Sequence, residues 1–144
     1  MISTARRAAV LAAIVAAAAA GAADHPFIVV VHPASGVTTL TVAELSAALL
    51  GRTPRWPDGT RVNPVDQLPD SATYKAVAEE IHGRSPAELR SFWVRQVFAG
   101  KGAPPPAKGS DEDVVAFVRN NPGAVGYVSP GADTRGVKVV KLRD

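Results

Sequence analysis

Residues 85–106 read S-P-A-E-L-R-S-F-W-V-R-Q-V-F-A-G-K-G-A-P-P-P and carry the clearest structural signals in the chain. Ser85 is a typical N-cap, Pro86 suits the first helical position, and Glu88 completes a capping box. Apolar residues then recur at helical spacing as far as Gly100, and the glycine and prolines that follow cannot continue a helix. This stretch therefore predicts a helix that ends near residue 100.

Three further helices are predicted on either side of it. Thr41 and Glu44 form a capping box for one that ends at Gly51. Ser71 opens a second one, and Ser110 caps the last, S-D-E-D-V-V-A-F-V.

Strands are predicted where short β-branched runs are bounded by turn residues. These runs are Phe27–Val31, residues 61–65, Ala124–Val128 and Val137–Leu142. Lysines interrupt the last run, which favours an edge strand. Strands alternating with helices predict an α/β fold, a small mixed sheet with helices on its faces. Five aromatic residues are expected to pack in its core: Trp56, Phe92, Trp93, Phe98 and Tyr127, with Leu89 and Val97 beside them.

The N-terminal segment has the pattern of a secretory signal peptide. Arg6 and Arg7 precede the apolar run Ala8–Ala20, and small residues then offer a cleavage site before Ala23 or Asp24. A membrane anchor is the alternative, but the run is shorter than the ~20 apolar residues that a spanning helix needs. No Cys is available for a lipid anchor. We therefore expect a signal peptide at 1–23, one domain at 24–144, no stable membrane anchor after cleavage, and a periplasmic or secreted protein.

Charge argues against nucleic acid as a partner. The chain has 16 basic and 13 acidic residues, a formal charge of +3. Without Arg6 and Arg7, 14 basic residues remain against the same 13 acidic ones. A nucleic-acid binder would need a concentrated positive surface.

Catalysis, metal binding and a cofactor have no support in the sequence. There is no Cys, and His25, His32 and His82 are not spaced as metal ligands. No nucleophile elbow and no phosphate-binding P-loop motif occurs. We therefore predict that the chain is not an enzyme.

The start of the helix at Ser71 is the first candidate binding site. Backbone N–H groups at a helix start have no intrahelical acceptor, and the helix dipole is positive there, so an oxyanion is favoured. Ser71 and Thr73 add two hydroxyls. An ordinary capped helix explains the same residues. A second candidate is Ser35, in the loop after the first strand, because ligands of doubly wound sheets bind beyond the carboxyl ends of strands.

Several motifs together resemble the α/β lobe of phosphate ABC-transporter substrate-binding proteins, over about residues 27–142. They are L-G-R-x-x-R-W-P-D-G, F-W-x-x-x-x-F-x-G-K-G-x-P-P and N-P-G-A-V-G-Y-V. The resemblance implies a single lobe of the type II periplasmic-binding-protein-like fold, in a short form of the family. Full-length members close two lobes around a ligand, and one lobe has no such cleft.

The family pattern for gripping phosphate is close to R-x-x-x-S-G-T at a helix start, and this chain matches it in part. Ser71 and Thr73 match, whereas Gln67 replaces the Arg and Ala72 replaces the Gly. Losing the Arg removes a bidentate positive fork. The resemblance thus implies an exported solute-binding-like domain that binds an oxyanion such as phosphate weakly, through Ser71, Thr73, Ser35 and Gln67. The alternative is an exported interaction domain that kept the fold, lost the ligand and binds a membrane or periplasmic protein.

Overall fold

The structure is a computed structural model that describes residues 25–144, so the predicted signal peptide lies outside the described residues. Helices and strands alternate along most of this part of the chain. The helices are α1 Val42–Leu49, α2 Ala72–Glu80, α3 Pro86–Phe98 and α4 Asp111–Asn120. The strands are β1 Ile28–Val31, β2 Thr39–Thr41, β3 Asn63–Pro64, β4 Asp66–Gln67, β5 Ala107–Lys108, β6 Ala124–Val128 and β7 Lys138–Arg143.

The predicted mixed α/β fold is confirmed. Five strands form a sheet in the order β2-β7-β1-β6-β3, and β4 pairs with β5 in a small parallel sheet. Strand β1 is antiparallel to both β6 and β7, while the outer pairs β2–β7 and β3–β6 are parallel. The sheet is therefore mixed.

Helices cover both faces of this sheet. Alternation along β1 sends Val29 and Val31 to one face, where α1 and α2 pack, and Val30 to the other, where α4 packs. Gly126 in β6 lies under α4, where an added Cβ would come within 3.0 Å of a methyl carbon of Val114 in α4 and within 2.6 Å of one of Val65. Close packing of helix on sheet thus explains the glycine inside the G-Y-V strand.

The prediction that the last strand lies at an edge is wrong. Strand β7 lies inside the sheet, because the short strand β2 pairs with its outer side. Lys138 is the partly exposed first residue of the strand, Lys141 is exposed, and Val140 faces the core. The lysines therefore mark a strand end and a solvated face, not an open edge.

The core prediction for α3 is only partly right. Leu89 and Phe92 are buried against α2, but Trp93 is half-buried and Val97 is exposed. Phe98, also expected in the core, is 88% exposed. The reason is that α3 lies at the periphery and packs through one short stripe, so its last turn has nothing to cover it. Of the other aromatic residues, Trp56 and Tyr127 are buried as predicted.

Candidate functional site at the start of helix α2

The start of α2 presents two backbone donors without an acceptor. Ser71 is the N-cap, and its Oγ accepts a hydrogen bond from the Tyr74 N–H at 3.0 Å. Among the described residues, the N–H groups of Ala72 and Thr73 reach no acceptor. Free donors at the positive end of a helix are the elements of an anion site. The side chain of Thr73 is buried, so its hydroxyl belongs to the inner side of this turn.

Gln67 lies four residues before Ser71, on β4, and the NH2 group of its side-chain amide is fully engaged. Nε2 donates to Asp111 Oδ1 at 2.9 Å and to the Tyr127 carbonyl at 3.0 Å. An amide nitrogen has two hydrogens, so neither is left for a ligand. The side chain is 5% exposed, which fixes it in this arrangement.

Asp111 is the negative centre of this arrangement. Its carboxylate also accepts from the backbone N–H and the hydroxyl of Ser129. Burial by itself would raise the pKa of Asp111, but the hydrogen bonds from Ser129 and Gln67 outweigh that effect and hold the pKa below its usual range. The position that carries an Arg in the family pattern is therefore held here by a neutral amide bound to a carboxylate.

Asp66 and Tyr127 form a hydrogen bond next to the contacts of Gln67. The Tyr127 hydroxyl donates to Asp66 Oδ1 at 2.6 Å and accepts from the Gln67 N–H at 3.2 Å. Burial raises the pKa of Asp66 to about 6, against the lowering effect of this hydrogen bond. Burial and the nearby carboxylate of Asp66 raise the pKa of Tyr127 far above its ordinary value, so Tyr127 stays a neutral donor.

The structure does not bring Ser35 to this site. Its Oγ accepts from the Val37 N–H at 3.1 Å, and its carbonyl accepts from Lys138 Nζ at 2.9 Å. The loop follows Val31, which pairs with Val125 at the start of β6, whereas Gln67 binds Tyr127 near the end of β6. Because β1 runs antiparallel to β6, the carboxyl end of β1 lies beside the amino end of β6, at the end of the strands opposite to Gln67.

Sequence reasoning missed Asp66, Tyr127, Asp111 and Ser129 as parts of the site. Asp111 carries a local signal only as an acid in the first turn of α4, where it favours the helix dipole. Asp66 carries no local signal, because its hydrogen-bond partner Tyr127 lies 61 positions away in the sequence.

Within residues 25–144 no group of three or more His, Asp or Glu is arranged to hold a metal ion. In the same residues no helix has the length and apolar character needed to cross a membrane.

Comparison with known proteins finds similarity in structure alone. No protein-family model and no curated protein matches the sequence. A substrate-binding protein of the phosphate ABC transporter type, with bound phosphate, from Clostridium perfringens aligns at a TM-score of 0.63 and 21% identity, over 81% of this chain and 44% of its own. An ABC-type phosphate transport receptor from Vibrio cholerae aligns at 0.62 and 22%, over 81% and 46%.

A third neighbour, PstS from Borrelia burgdorferi, aligns at 0.58 and 15% identity, over 81% of this chain and 47% of its own. The chain thus spans less than half the length of these neighbours. At such identities the similarity shows the fold, which is similar to the periplasmic-binding-protein fold of phosphate-binding proteins.

Proposed function

We propose that this chain is an exported solute-binding-like domain that binds an oxyanion such as phosphate weakly at the start of α2. The observation that carries the proposal is the pair of N–H groups of Ala72 and Thr73, which have no acceptor within residues 25–144 and lie beside the Ser71 hydroxyl. The similar fold of proteins named for phosphate transport supports it. In this arrangement the anion accepts from both N–H groups and from the Ser71 hydroxyl.

Weak affinity follows from the contacts around Gln67. Its amide is committed to Asp111 and Tyr127, so it donates to a ligand only by releasing one of them. The Asp111 carboxylate also repels an anion. One missing charge-assisted hydrogen bond is worth about 1.5–3 kcal/mol, which lowers affinity by about tenfold or more relative to a site with Arg.

Calorimetric titration of phosphate tests this site. We expect weak binding by the parent chain, a loss in Ser71→Ala, and a gain of about tenfold in Gln67→Arg. Ser85→Ala is the matched control, because Ser85 caps α3 with the same hydrogen bond, Oγ to the Glu88 N–H at 3.1 Å. Phosphate binding that is micromolar or tighter in the parent, or that survives in Ser71→Ala, would place the ligand elsewhere.

The second candidate is an exported interaction domain that binds a membrane or periplasmic protein. The observation in its favour is the apolar surface of α3, where Val94 is 48%, Val97 53% and Phe98 88% exposed. The closed state of Gln67 also favours it. No heat with phosphate in either the parent chain or Gln67→Arg would leave this candidate as the better one.

A further inference from the structure

A groove of about 450 Å³ runs between α3 and the start of α2, where Tyr74 lines it, but neither Ser71 nor Thr73 does. It takes in the F-W-x-x-x-x-F-x-G-K-G-x-P-P motif, whose exposed aromatic residue the proposed anion site leaves unexplained. Its apolar wall consists mainly of Trp93, Val97, Phe98, Pro104 and Pro105. A groove of this size and composition is typical of small-molecule sites, which need a few polar groups to orient the ligand.

Asp66 supplies such a polar group. Its Oδ1 accepts from Tyr127, but no donor among the described residues reaches Oδ2. The only other charged residue lining the groove, Arg90, is exposed, and no ion pair joins it to Asp66. Since burial raises the pKa of Asp66 only to about 6, the carboxyl is mostly ionised at pH 7.5. An ionised carboxylate in apolar surroundings is costly without a cation, and a ligand can supply one.

Aromatic rings line the same groove. Tyr74, Trp93 and Phe98 all contribute to its wall. Rings attract a cation through their faces, and Trp does so most strongly. The carboxylate and the rings therefore favour the same charge on the ligand.

We propose that this groove binds a small organic ammonium compound, with the ammonium group at Asp66 Oδ2 and its apolar body against Trp93 and Phe98. This assigns the chain a second ligand class, opposite in charge to the oxyanion proposed for the start of α2. Gln67 borders both sites, but the ligating groups differ: the N–H groups of Ala72 and Thr73 for the oxyanion, and the Asp66 carboxylate for the ammonium. The two proposals can therefore be tested separately. The same carboxylate disfavours an anion in its part of the groove.

Calorimetry at pH 7.5 with two probes of one shape tests the proposal. Phenethylammonium carries the charge, and 2-phenylethanol has the same ring and chain length without it. We expect the parent chain to prefer the ammonium by about tenfold or more, the ratio that a charge-assisted hydrogen bond produces. Asp66→Asn should abolish this preference. Asp70→Asn, an exposed acid on the same segment that does not line the groove, should keep it.

Phe98→Ala provides a variant whose folding is not in question, since the ring is 88% exposed. It should weaken phenethylammonium binding by about twofold to fivefold through loss of a contact with the ligand's aromatic ring. Equal affinity for the two probes would overturn the proposal. So would a preference for the ammonium that survives in Asp66→Asn, unchanged binding in Phe98→Ala, or no binding of either probe up to the solubility limit of the alcohol.

Discussion

Asp66 and Gln67 are adjacent on β4, yet their side chains lie in opposite kinds of environment. Successive residues of a strand face opposite ways, so one peptide unit separates two chemically distinct sides. On the Gln67 side both amide hydrogens are bound, to Asp111 and to Tyr127. On the Asp66 side one carboxylate oxygen has a donor and the other has none among the described residues.

This difference separates a structural role from a binding role. A buried amide whose two hydrogens are both bound helps to hold the fold together and has no donor left for a ligand. A partly buried carboxylate with an oxygen that no protein donor reaches costs stability in the free protein, a cost that a ligand can offset. The Gln67 side is therefore the closed side of β4, and the Asp66 side is the open one.

Among changes to the contacts of β4, removing the hydroxyl that joins the two sides should have the largest effect. Tyr127→Phe leaves the Gln67 N–H without an acceptor and Asp66 Oδ1 without a donor. Two such groups at about 1–3 kcal/mol each should lower the free energy of unfolding by about 2–6 kcal/mol in urea titrations at pH 7.5. Tyr74→Phe is the control, because its hydroxyl has no hydrogen-bond partner in residues 25–144. Equal losses in the two variants would contradict the linking role of Tyr127.

Asp66, on the open side of β4, should also make the stability of the fold depend on pH. Burial raises the folded-state pKa of Asp66 from 3.8 to about 6. Between these values the folded chain holds the proton more tightly than the unfolded chain. Stability from this group is therefore greatest below about pH 4 and falls, by at most about 3 kcal/mol, as the pH rises to 6.

His82 opposes Asp66 in the same range. Burial, with smaller effects of Arg84 and Arg52, lowers its pKa from 6.5 to about 4. Here the unfolded chain takes up the proton first, so stability is full above pH 6.5 and is lost, again by at most about 3 kcal/mol, as the pH falls to 4. The parent chain should therefore show a nearly flat profile between pH 4 and 6.5.

Two variants separate these opposing effects. Asp66→Asn should become less stable on acidification from pH 6.5 to 4, and His82→Gln should become more stable over the same interval. Urea unfolding at several pH values measures both. A profile in Asp66→Asn that matches the parent would show that the carboxyl is not desolvated in the folded chain.

A substitution on the closed side of β4 should lower the free energy of unfolding by a smaller amount. Asp111→Ala removes the acceptor for Gln67 and for both donors of Ser129. Hydrogen bonds to a charged group are worth about 1.5–3 kcal/mol, and partial solvent access to Ser129 favours a loss of about 2 kcal/mol. Glu112→Ala lies in the same first turn, is exposed, and should change stability by less than about 0.5 kcal/mol. Equal losses in the two variants would assign the effect to the helix dipole instead of the network.

The parts of the fold predicted from sequence are those fixed by local chemistry. The capping residues Thr41, Ser71, Ser85 and Ser110 each accept the hydrogen bond that their position predicts, and strand β6 has the predicted bounds. Strands β2, β4 and β5 were missed because two or three residues are too few to show a period of two. The prediction that β7 lies at an edge failed because β2, which pairs with β7 on its outer side, was not predicted.

The site shows the same division between local and distant determinants. The role of Ser71 as N-cap depends on residues three positions apart and was predictable. The contacts that fix Gln67 join residues 44 and 60 positions apart, so no local pattern encodes them. Likewise, exposure of Phe98 depends on what packs over the end of α3, which helical spacing alone does not reveal.

The smallest effect is expected at Phe98, on the wall of the groove that Asp66 lines. The ring is 88% exposed, so Phe98→Ala should change the free energy of unfolding by less than about 0.5 kcal/mol. Phe92, six positions earlier on the same helix and 6% exposed, provides the contrast, and Phe92→Ala should cost about 3–5 kcal/mol. Thermal and urea unfolding of both variants checks the difference. A loss of more than about 1 kcal/mol in Phe98→Ala would mean that the ring packs against the protein in solution, and the open side of β4 would then be closed as well.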